Sequence, residues 1–563
     1  MQPRTPAPGT PSAPFPYAGA HPRGRAPLGG PSEFDALRLT WVQPEDLVGH
    51  ELRQAAEDGR DAEGVRRRWL AAGGRTAPER AGASPAAVDP RLRELAVRLL
   101  DELAILPSPL AANEPGDLSG IRAACPEWPT TISRESPSRE PLSRGAMSPW
   151  PTGANLATAW PQGGGAAEVR RRAPWAGVSG PAARGATPST GTWPTALWRK
   201  NRAGATGAGS SALLPRLHAA WLGRAVGCLL GKPVEKLPLP AIRALARATG
   251  NWPLRTWFTG RGLPADLAAR HPWNRRSAPT SLAENINGMP EDDDLNYPLL
   301  NLLLLQRYGR DFSTTDVARL WLDELPAGRT FTAERVAYRN LLDGIEPPHT
   351  ATHRNPFREW IGAQIRADVH GWTHPGDPAA AAGQAYRDAT LTHTANGVYG
   401  AMFVAAALAE AAGGTTDVHT CLRTGLSVVP PDSRLAHAVR FGIDAAQSGT
   451  GDFDQVVDEL HAAYGQHHWV HVLPNAALLA AALTHADGDF TGSVCRAVSG
   501  GWDTDSNGAT AGSLAGLIAG SPAAIPPRWT APLRNRLATS VAALDGIGFD
   551  TLAALTAQEA VHP

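Results

Sequence analysis

The sequence predicts an all-α protein, and three observations carry that expectation. From Leu213 to about Leu555 the chain is a succession of Ala/Leu-rich segments of helical length, with few β-branched residues and little strand-like alternation. Glycines recur every four residues in two of these segments, at Gly223/Gly227/Gly231 and at Gly508/Gly512/Gly516/Gly520. Glycine costs a helix about 1 kcal/mol against alanine, so such a stripe is tolerable where another helix must approach closely. Finally, two clusters of carboxylates each stand at the start of an apolar helical run, "PEDDDLNYPLLNLLLL" and "GGWDTDSNGATAGSLAG".

The chain has 563 residues with 53 basic and 53 acidic side chains. Balanced charge argues against a polybasic nucleic-acid or membrane-surface binder. The four cysteines, Cys125, Cys228, Cys421 and Cys495, form no CxxC pair. A disulfide framework or zinc knuckle is therefore not expected, and a reducing, cytoplasmic setting fits best. The first residues lack the apolar core of a signal peptide. The most apolar run, "GVYGAMFVAAALAEAAGG", is interrupted by Glu410 and falls short of the ~20 apolar residues a bilayer requires.

In order along the chain, residues 1–32 are Pro/Gly/Ala-rich and are expected to be disordered. Residues 33–110 read as a small helical module. Its clearest helix, "DPRLRELAVRLLDELAIL", has Asp89 as N-cap, Pro90 at the first helical position and Pro107 as stop. Leu92, Leu95, Leu99, Leu103 and Leu106 recur along one face. Residues 111–210 read as a Pro/Gly-rich disordered linker whose scattered tryptophans, Trp128 among them, lack the periodicity to build a core. On this reading residues 1 to about 205 are dispensable for catalysis. Residues 211–555 form a compact helical catalytic domain.

Asp503, Asp505, Asn507 and Gly508 match the opening of an EF-hand calcium loop, but the twelfth position is Leu514, where that loop needs a bidentate glutamate. The remaining oxygens must come from elsewhere. Glu291, Asp292, Asp293 and Asp294 are the obvious source. A solvated acidic helix start is the bland reading, favoured by the helix dipole at ~0.3–1 kcal/mol per charge. Adjacent anions repel, however, and a divalent cation relieves that repulsion. Oxygen donors without a nearby cysteine favour Mg²⁺ or Mn²⁺ over Ca²⁺. Two such ions ~3.5–4 Å apart would polarise a leaving oxygen and activate a water.

Other motifs are weaker. "GCLLGKP" misses the phosphate-loop spacing by one residue and has Pro233 where Ser or Thr is needed. "HHWVH" sets His467 and His471 at i, i+4 but lacks the glutamate of HExxH, and such a pair is more often surface or core. No G-x-S-x-G elbow supports a serine nucleophile.

Taken in order, these pieces resemble the ADP-ribosylglycohydrolase family, which includes the dinitrogenase-reductase-activating glycohydrolases. "GRAVGCLLGKPVE" looks like the family's opening helix, ending in Glu235 near the site entrance. "PEDDD" is similar to its Thr-Asp-Asp-Thr motif, which implies Asp292 and Asp293 as a metal-binding pair with Glu291 beside them. "WIGAQIRAD" resembles the turn meeting the diphosphate, implying backbone contacts from Gly362, Ala363 and Gln364. "LTHTANGVYGAMF" is similar to the segment lining the ADP-ribose cleft, implying His393, Asn396 and Tyr399. "GGWDTDSNGATAGSLAG" resembles the closing Gly-Gly-Asp-Thr-Asp-Thr motif, implying Asp503, Asp505 and Ser506 as further ligands.

The resemblance covers about residues 213–555. It implies an all-α fold and two Mg²⁺ ions (Mn²⁺ in some members) that help cleave the bond at C1″ of an ADP-ribosyl group on protein or a small molecule. Asp292, Asp293 or Asp503 would orient the attacking water. The chain departs from the pattern: Glu291 and Asp294 stand for threonines, Ser506 for a third, and Trp502 interrupts the usual spacing. A metal-dependent phosphoesterase and a non-catalytic ADP-ribose-binding protein are the rival readings. Retained carboxylate pairs argue against the last, because a structural protein has no need of buried like charges.

Overall fold

The computed structural model of the chain describes residues 43–77, 81, 88–130, 208–414, 416–448 and 451–561. Residues 1–32, and the part of the expected linker from 131 to 207, lie outside the described residues. Among the described residues the secondary structure is helical with no strand. Two isolated bridges, Met289–Leu537 and Trp360–His471, are the extended pairings found among the described residues.

The glycine stripes explain how the larger region assembles. The long first helix of that region, Ala208–Gly231, lies antiparallel against the closing helix, Thr504–Ala519. A Cβ added to Gly223, Gly227 or Gly231 would collide with the backbone at Gly512, Gly508 or Thr504. Gly516 meets Ala219 in the same way. Gly520 does not belong to the stripe: it caps the closing helix in the left-handed region at φ 79°. This contact is backbone on backbone, and it fixes both the distance and the register of the pair. Thr504 Oγ1 donates to Gly231 O at 2.9 Å at the end that matters.

The apolar run around Glu410 forms the helix Ala395–Gly413, buried along nearly its whole length in the core of the region. The acidic helix, Asp293–Tyr308, starts where Asp292 acts as its N-cap, accepting from Asp294 N at 3.0 Å. Its residues Leu295 through Leu305 are buried on every side, which is why the run shows no polar face.

The N-terminal module differs from the expected one in extent. Its helices are Pro44–Glu57, Glu63–Ala71, Pro90–Ala104 and, within the expected linker, Leu118–Ala124. Asp89 and Pro90 start the third helix as the sequence predicts, with Asp89 accepting from Arg91 N. The fourth is capped by Asp117 and buries Ile121. Trp128 packs against the core, with the Arg122 guanidinium 5.2 Å from its ring. The helix Leu118–Ala124 thus lies beyond the boundary expected at residue 110, and the described residues of this part continue to Thr130.

Nor is the module separate. Arg434 reaches Glu114 at 2.8 Å and Glu359 at 2.8 Å, and Gln54 donates to Glu359 at 2.9 Å. Arg358 pairs with Glu51 at 2.9 Å and Asp58 at 3.3 Å, while Arg60 holds the same two carboxylates from the module side. These groups are largely buried, so removing one side strands the other. Dispensability of everything before residue 205 does not fit this interface.

Two predictions follow from the packing. Gly508→Ala should lower stability by about 1–3 kcal/mol through overpacking, although helix propensity alone favours alanine by about 1 kcal/mol. Gly64→Ala, in a helix where a Cβ meets open space, should instead stabilise by up to about 1 kcal/mol; denaturant midpoints compare the two. Arg434→Met should cost about 3–5 kcal/mol by leaving Glu114 and Glu359 unpaired, and a chain beginning at Ala208 should melt well below the full-length protein. An unchanged melting temperature for that fragment contradicts the interface.

Candidate metal and substrate cleft

The antiparallel glycine contact sets the end of the first helix beside the start of the closing helix. Lys232, Glu235 and Lys236 follow the first helix, and Asp503, Asp505 and Ser506 open the closing one. The start of the acidic helix completes the group. Together they line one cleft of about 530 Å³ that also holds Glu291 and Gly362. Eight of the residues singled out from the sequence thus meet: Glu235, Glu291, Asp292, Asp293, Gly362, Asp503, Asp505 and Ser506.

The delivery of Asp503 is unusual in its backbone. Gly501 and Trp502 are both left-handed, at φ 83° and 54°. The tryptophan is held in that strained conformation by stacking on His461, with ring centroids 3.8 Å apart. Asp503 N then donates to Asn475 Oδ1 at 3.1 Å. The same oxygen accepts from Asn507 Nδ2 at 2.7 Å, so Asn475 ties two positions of the loop-to-helix junction.

The carboxylates are not equivalent. Asp292 contacts the Lys232 ammonium. Burial alone would raise its pKa, but the ammonium holds Asp292 below the usual carboxylate range. Asp294 is met by Arg224 Nη2 at 3.2 Å and by Ser506 Oγ at 3.3 Å, and Arg224 also pairs with Asp368 at 2.8 Å. Asp294 is nonetheless pushed up, first by burial and then by Asp292. Asp293 and Asp503 are driven well above the ordinary range by burial and by neighbouring carboxylates, Asp292 for the former and Asp505 for the latter. Asp505 is raised to about 7, by burial first and then by Glu235. Cys228, one turn before Lys232, lies beside Asp292 and Asp294, and burial keeps its thiol protonated.

A divalent cation fits this donor set. Asp293, Asp503, Asp505 and Ser506 offer hard oxygens around one space, and the three carboxyls are pushed up by burial first and by their acidic neighbours second, two costs that a bound cation offsets. Asp292 and Asp294 are already matched by Lys232 and Arg224. Glu291 differs from its expected role: its oxygens go to Asn296 Nδ2 at 2.9 Å and Arg329 Nη1 at 3.1 Å, at the cleft wall. Glu235 accepts from Asn274 Nδ2 at 2.7 Å on one oxygen and meets Lys236 Nζ at 2.5 Å on the other.

Five expected substrate contacts lie elsewhere. Ala363 and Gln364 are buried behind the cleft wall and do not line it. Gly362 does line it, but a Cβ there would strike Glu334 Oε1, so its small size serves that approach. Burial drives His393 well below its ordinary pKa, and its Nδ1 contacts Thr392 Oγ1 at 2.6 Å. Asn396 joins Glu359 at 2.9 Å to Leu435 N at 2.9 Å. Tyr399 donates to Pro115 O of the N-terminal module at 2.6 Å. These three support the core and the module interface, because buried polar groups must find partners.

Sequence reasoning passed over Lys232, Arg224, Asn475 and Glu334. Lys232 sat in the discarded phosphate-loop match, and its signal was a lone lysine at the end of an otherwise apolar helix. Glu334 lines the cleft and is raised to about 7 by burial, with Arg366 Nη1 at 3.1 Å. Arg276 and Arg329 complete a cationic rim with Lys236.

Comparison with known proteins agrees with the all-α fold. The family model described as ADP-ribosylglycohydrolase matches residues 209–560. A solved structure titled "ADP-ribosylglycohydrolase-related protein complex" is similar at 22% identity, covering 62% of this chain and 99% of that one, with a TM-score of 0.39. No curated protein sequence matches the chain. With more than half its length matched by the family model, the chain belongs to the ADP-ribosylglycohydrolase family and is a glycosidase-type hydrolase.

Proposed function

We propose that the protein is a Mg²⁺-dependent hydrolase that cleaves the bond at C1″ of ADP-ribosyl groups on a protein or small molecule. The observation that carries this reading is the convergence of Asp293, Asp503, Asp505 and Ser506 on one cleft, where burial and neighbouring carboxylates push the acidic groups above their ordinary range. Bound Mg²⁺ (or Mn²⁺), two ions as in the family, would supply Lewis acidity and an activated water.

The chain's own residues divide the remaining work. Asp293 and Asp503 keep carboxylate oxygens free of protein cations and are placed to orient the water. Asp292, expected to share that role, is committed to Lys232 and serves as a positioning residue for the helix start. Arg276 supplies positive charge for a diphosphate, beside Arg329 and Lys236, which are paired with Glu291 and Glu235. Trp469, with Lys236 Nζ 5.5 Å from its ring, gives the wall an aromatic surface. Glu235 faces the carboxylate cluster from the opposite helix end and is positioned at the entrance. A cytoplasmic location rests on the four free cysteines, all buried.

Incubation with ADP-ribosyl-arginine and ADP-ribosyl-serine peptides tests the activity. Free ADP-ribose should appear with Mg²⁺ and not without it, and Asp503→Asn should reduce turnover by at least about 10²-fold, the scale of losing one essential charge in a catalytic site. Helicity should survive the substitution. Undiminished Mg²⁺ binding by Asp503→Asn in calorimetry would remove the carboxylate site from the account.

The pKa directions give a separate test. A carboxyl raised in the folded protein contributes its full stabilisation below its ordinary value near 4 and loses it as pH rises through the folded value. For Asp505 that window closes at about 7. A divalent ion competes with those protons, so the rise in Tm produced by Mg²⁺ should be small at about pH 5 and grow through about pH 7. A Mg²⁺ increment independent of pH contradicts the assignment.

A further inference from the structure

The histidine pair His467 and His471 does not lie on a helix. Both residues are in the turn before the helix Val472–Ala486, and His471 is its N-cap. Facing them is Glu57, the last residue of the helix Pro44–Glu57 in the N-terminal module. Its two carboxylate oxygens lie 3.7 Å from His467 Nδ1 and 3.4 Å from His471 Nε2. Those gaps are too long for good hydrogen bonds. Glu57 Oε1, His467 Nδ1 and His471 Nε2 are all buried without a hydrogen-bond partner among the described residues. The His471 side chain is fully inaccessible, and those of Glu57 and His467 are 10% exposed.

Three lone-pair donors therefore converge, with their ligand atoms within 4.8 Å of one another. Two ligands of a tetrahedral zinc ion, each bonded at about 2.0–2.2 Å, are roughly 3.3–3.6 Å apart. The two Glu57–histidine separations, 3.7 and 3.4 Å, are close to that spacing. Two imidazoles with one carboxylate suit a borderline ion such as Zn²⁺ far better than Mg²⁺. A second cavity, lined by Tyr464, Gln466 and His437, borders the cluster and gives an ion and its water access. Arg53 and Arg434 line that cavity too; Arg434 is engaged by Glu114 and Glu359, while Arg53 donates to Ala77 O and also feels the charge of Glu57, which a bound cation would share.

We propose that Glu57, His467 and His471 bind one Zn²⁺-class ion, with water as the fourth ligand, at a site distinct from the acidic cleft. One existing contact must yield. Leu473 N donates to His471 Nδ1 at 3.2 Å, and a metal on Nε2 places the ring proton on Nδ1, so the metal bond has to outweigh that cap.

The ion would fasten the N-terminal module to the back of the catalytic wall. Trp469 and Val470, between the two histidines, line the acidic cleft. His471 O accepts from Asn475 Nδ2 at 2.8 Å, and Asn475 Oδ1 receives Asp503 N. The clamp is thus two hydrogen bonds from a proposed Mg²⁺ ligand.

The test uses the full-length chain stripped by a chelator and titrated with Zn²⁺ in excess Mg²⁺. One Zn²⁺ per chain is expected. Co²⁺ in its place should show the strong visible absorption of four-coordinate cobalt. Glu57→Gln and His467→Gln, checked for folding by circular dichroism, should weaken binding by more than the roughly 10–100-fold that loss of an outer hydrogen-bond partner costs a metal site. Asp503→Asn should retain the Zn²⁺. Absence of Zn²⁺ binding in excess Mg²⁺ overturns the proposal, as does wild-type affinity in both Glu57→Gln and His467→Gln. Loss of the ion in Asp503→Asn also overturns it, by placing the ion in the acidic cleft. None of these readouts depends on ADP-ribosyl hydrolysis.

Discussion

The site depends on one backbone-to-backbone contact, the antiparallel crossing of the helices Ala208–Gly231 and Thr504–Ala519 along their glycines. Without side chains between them the two helices approach as closely as their carbonyls permit. Register follows from the four-residue repeat, since a slip brings larger residues into the seam. That register sets Gly231 against Thr504 and so places Lys232 and Glu235 across from Asp503 and Asp505. The glycines give up helix propensity at each position. In return the structure obtains a rigid floor under a cluster of like charges, which a loosely packed pair could not hold.

The second constraint is charge. Several carboxylates share one partly enclosed space, and protein cations meet some of them at contact distance. Lys232 serves Asp292 and Arg224 serves Asp294. Those two carboxylates anchor the acidic helix to the first helix, while Asp293, Asp503 and Asp505 carry the unmatched charge. Which carboxylates anchor the helix starts is therefore set by which of them meets a protein cation. It gives the departures from the family motif a physical sense: Asp294, where a threonine is usual, has a buried guanidinium to receive it, and Glu291 has Arg329.

Much of this was legible in the chain. The acidic motifs stand directly before their helices, so local sequence alone locates Asp292, Asp293, Asp503 and Asp505 at helix starts, and the glycine spacing announces a close partner helix. Asn396 and Tyr399 lie in the core and not along the cleft for a physical reason. Ala395–Gly413 is buried on all sides, so no periodicity separates a face toward the cleft from a face toward the core. The helical module was cut short at residue 110 because its last helix has only seven residues and relies on packing instead of its own amphipathic pattern. Its attachment through Glu51, Glu114 and Arg434 joins residues some 300 apart in the chain, beyond the reach of any local rule. Lys232 was missed because an isolated lysine after an apolar helix looks like an ordinary exposed end.

The central claim is that this cleft brings water to C1″ of an ADP-ribosyl group. Single-turnover hydrolysis in ¹⁸O-labelled water with Mg²⁺ tests it most directly. The account predicts the label at C1″ of the released ADP-ribose. Label recovered only in phosphate would contradict it and identify a phosphoesterase.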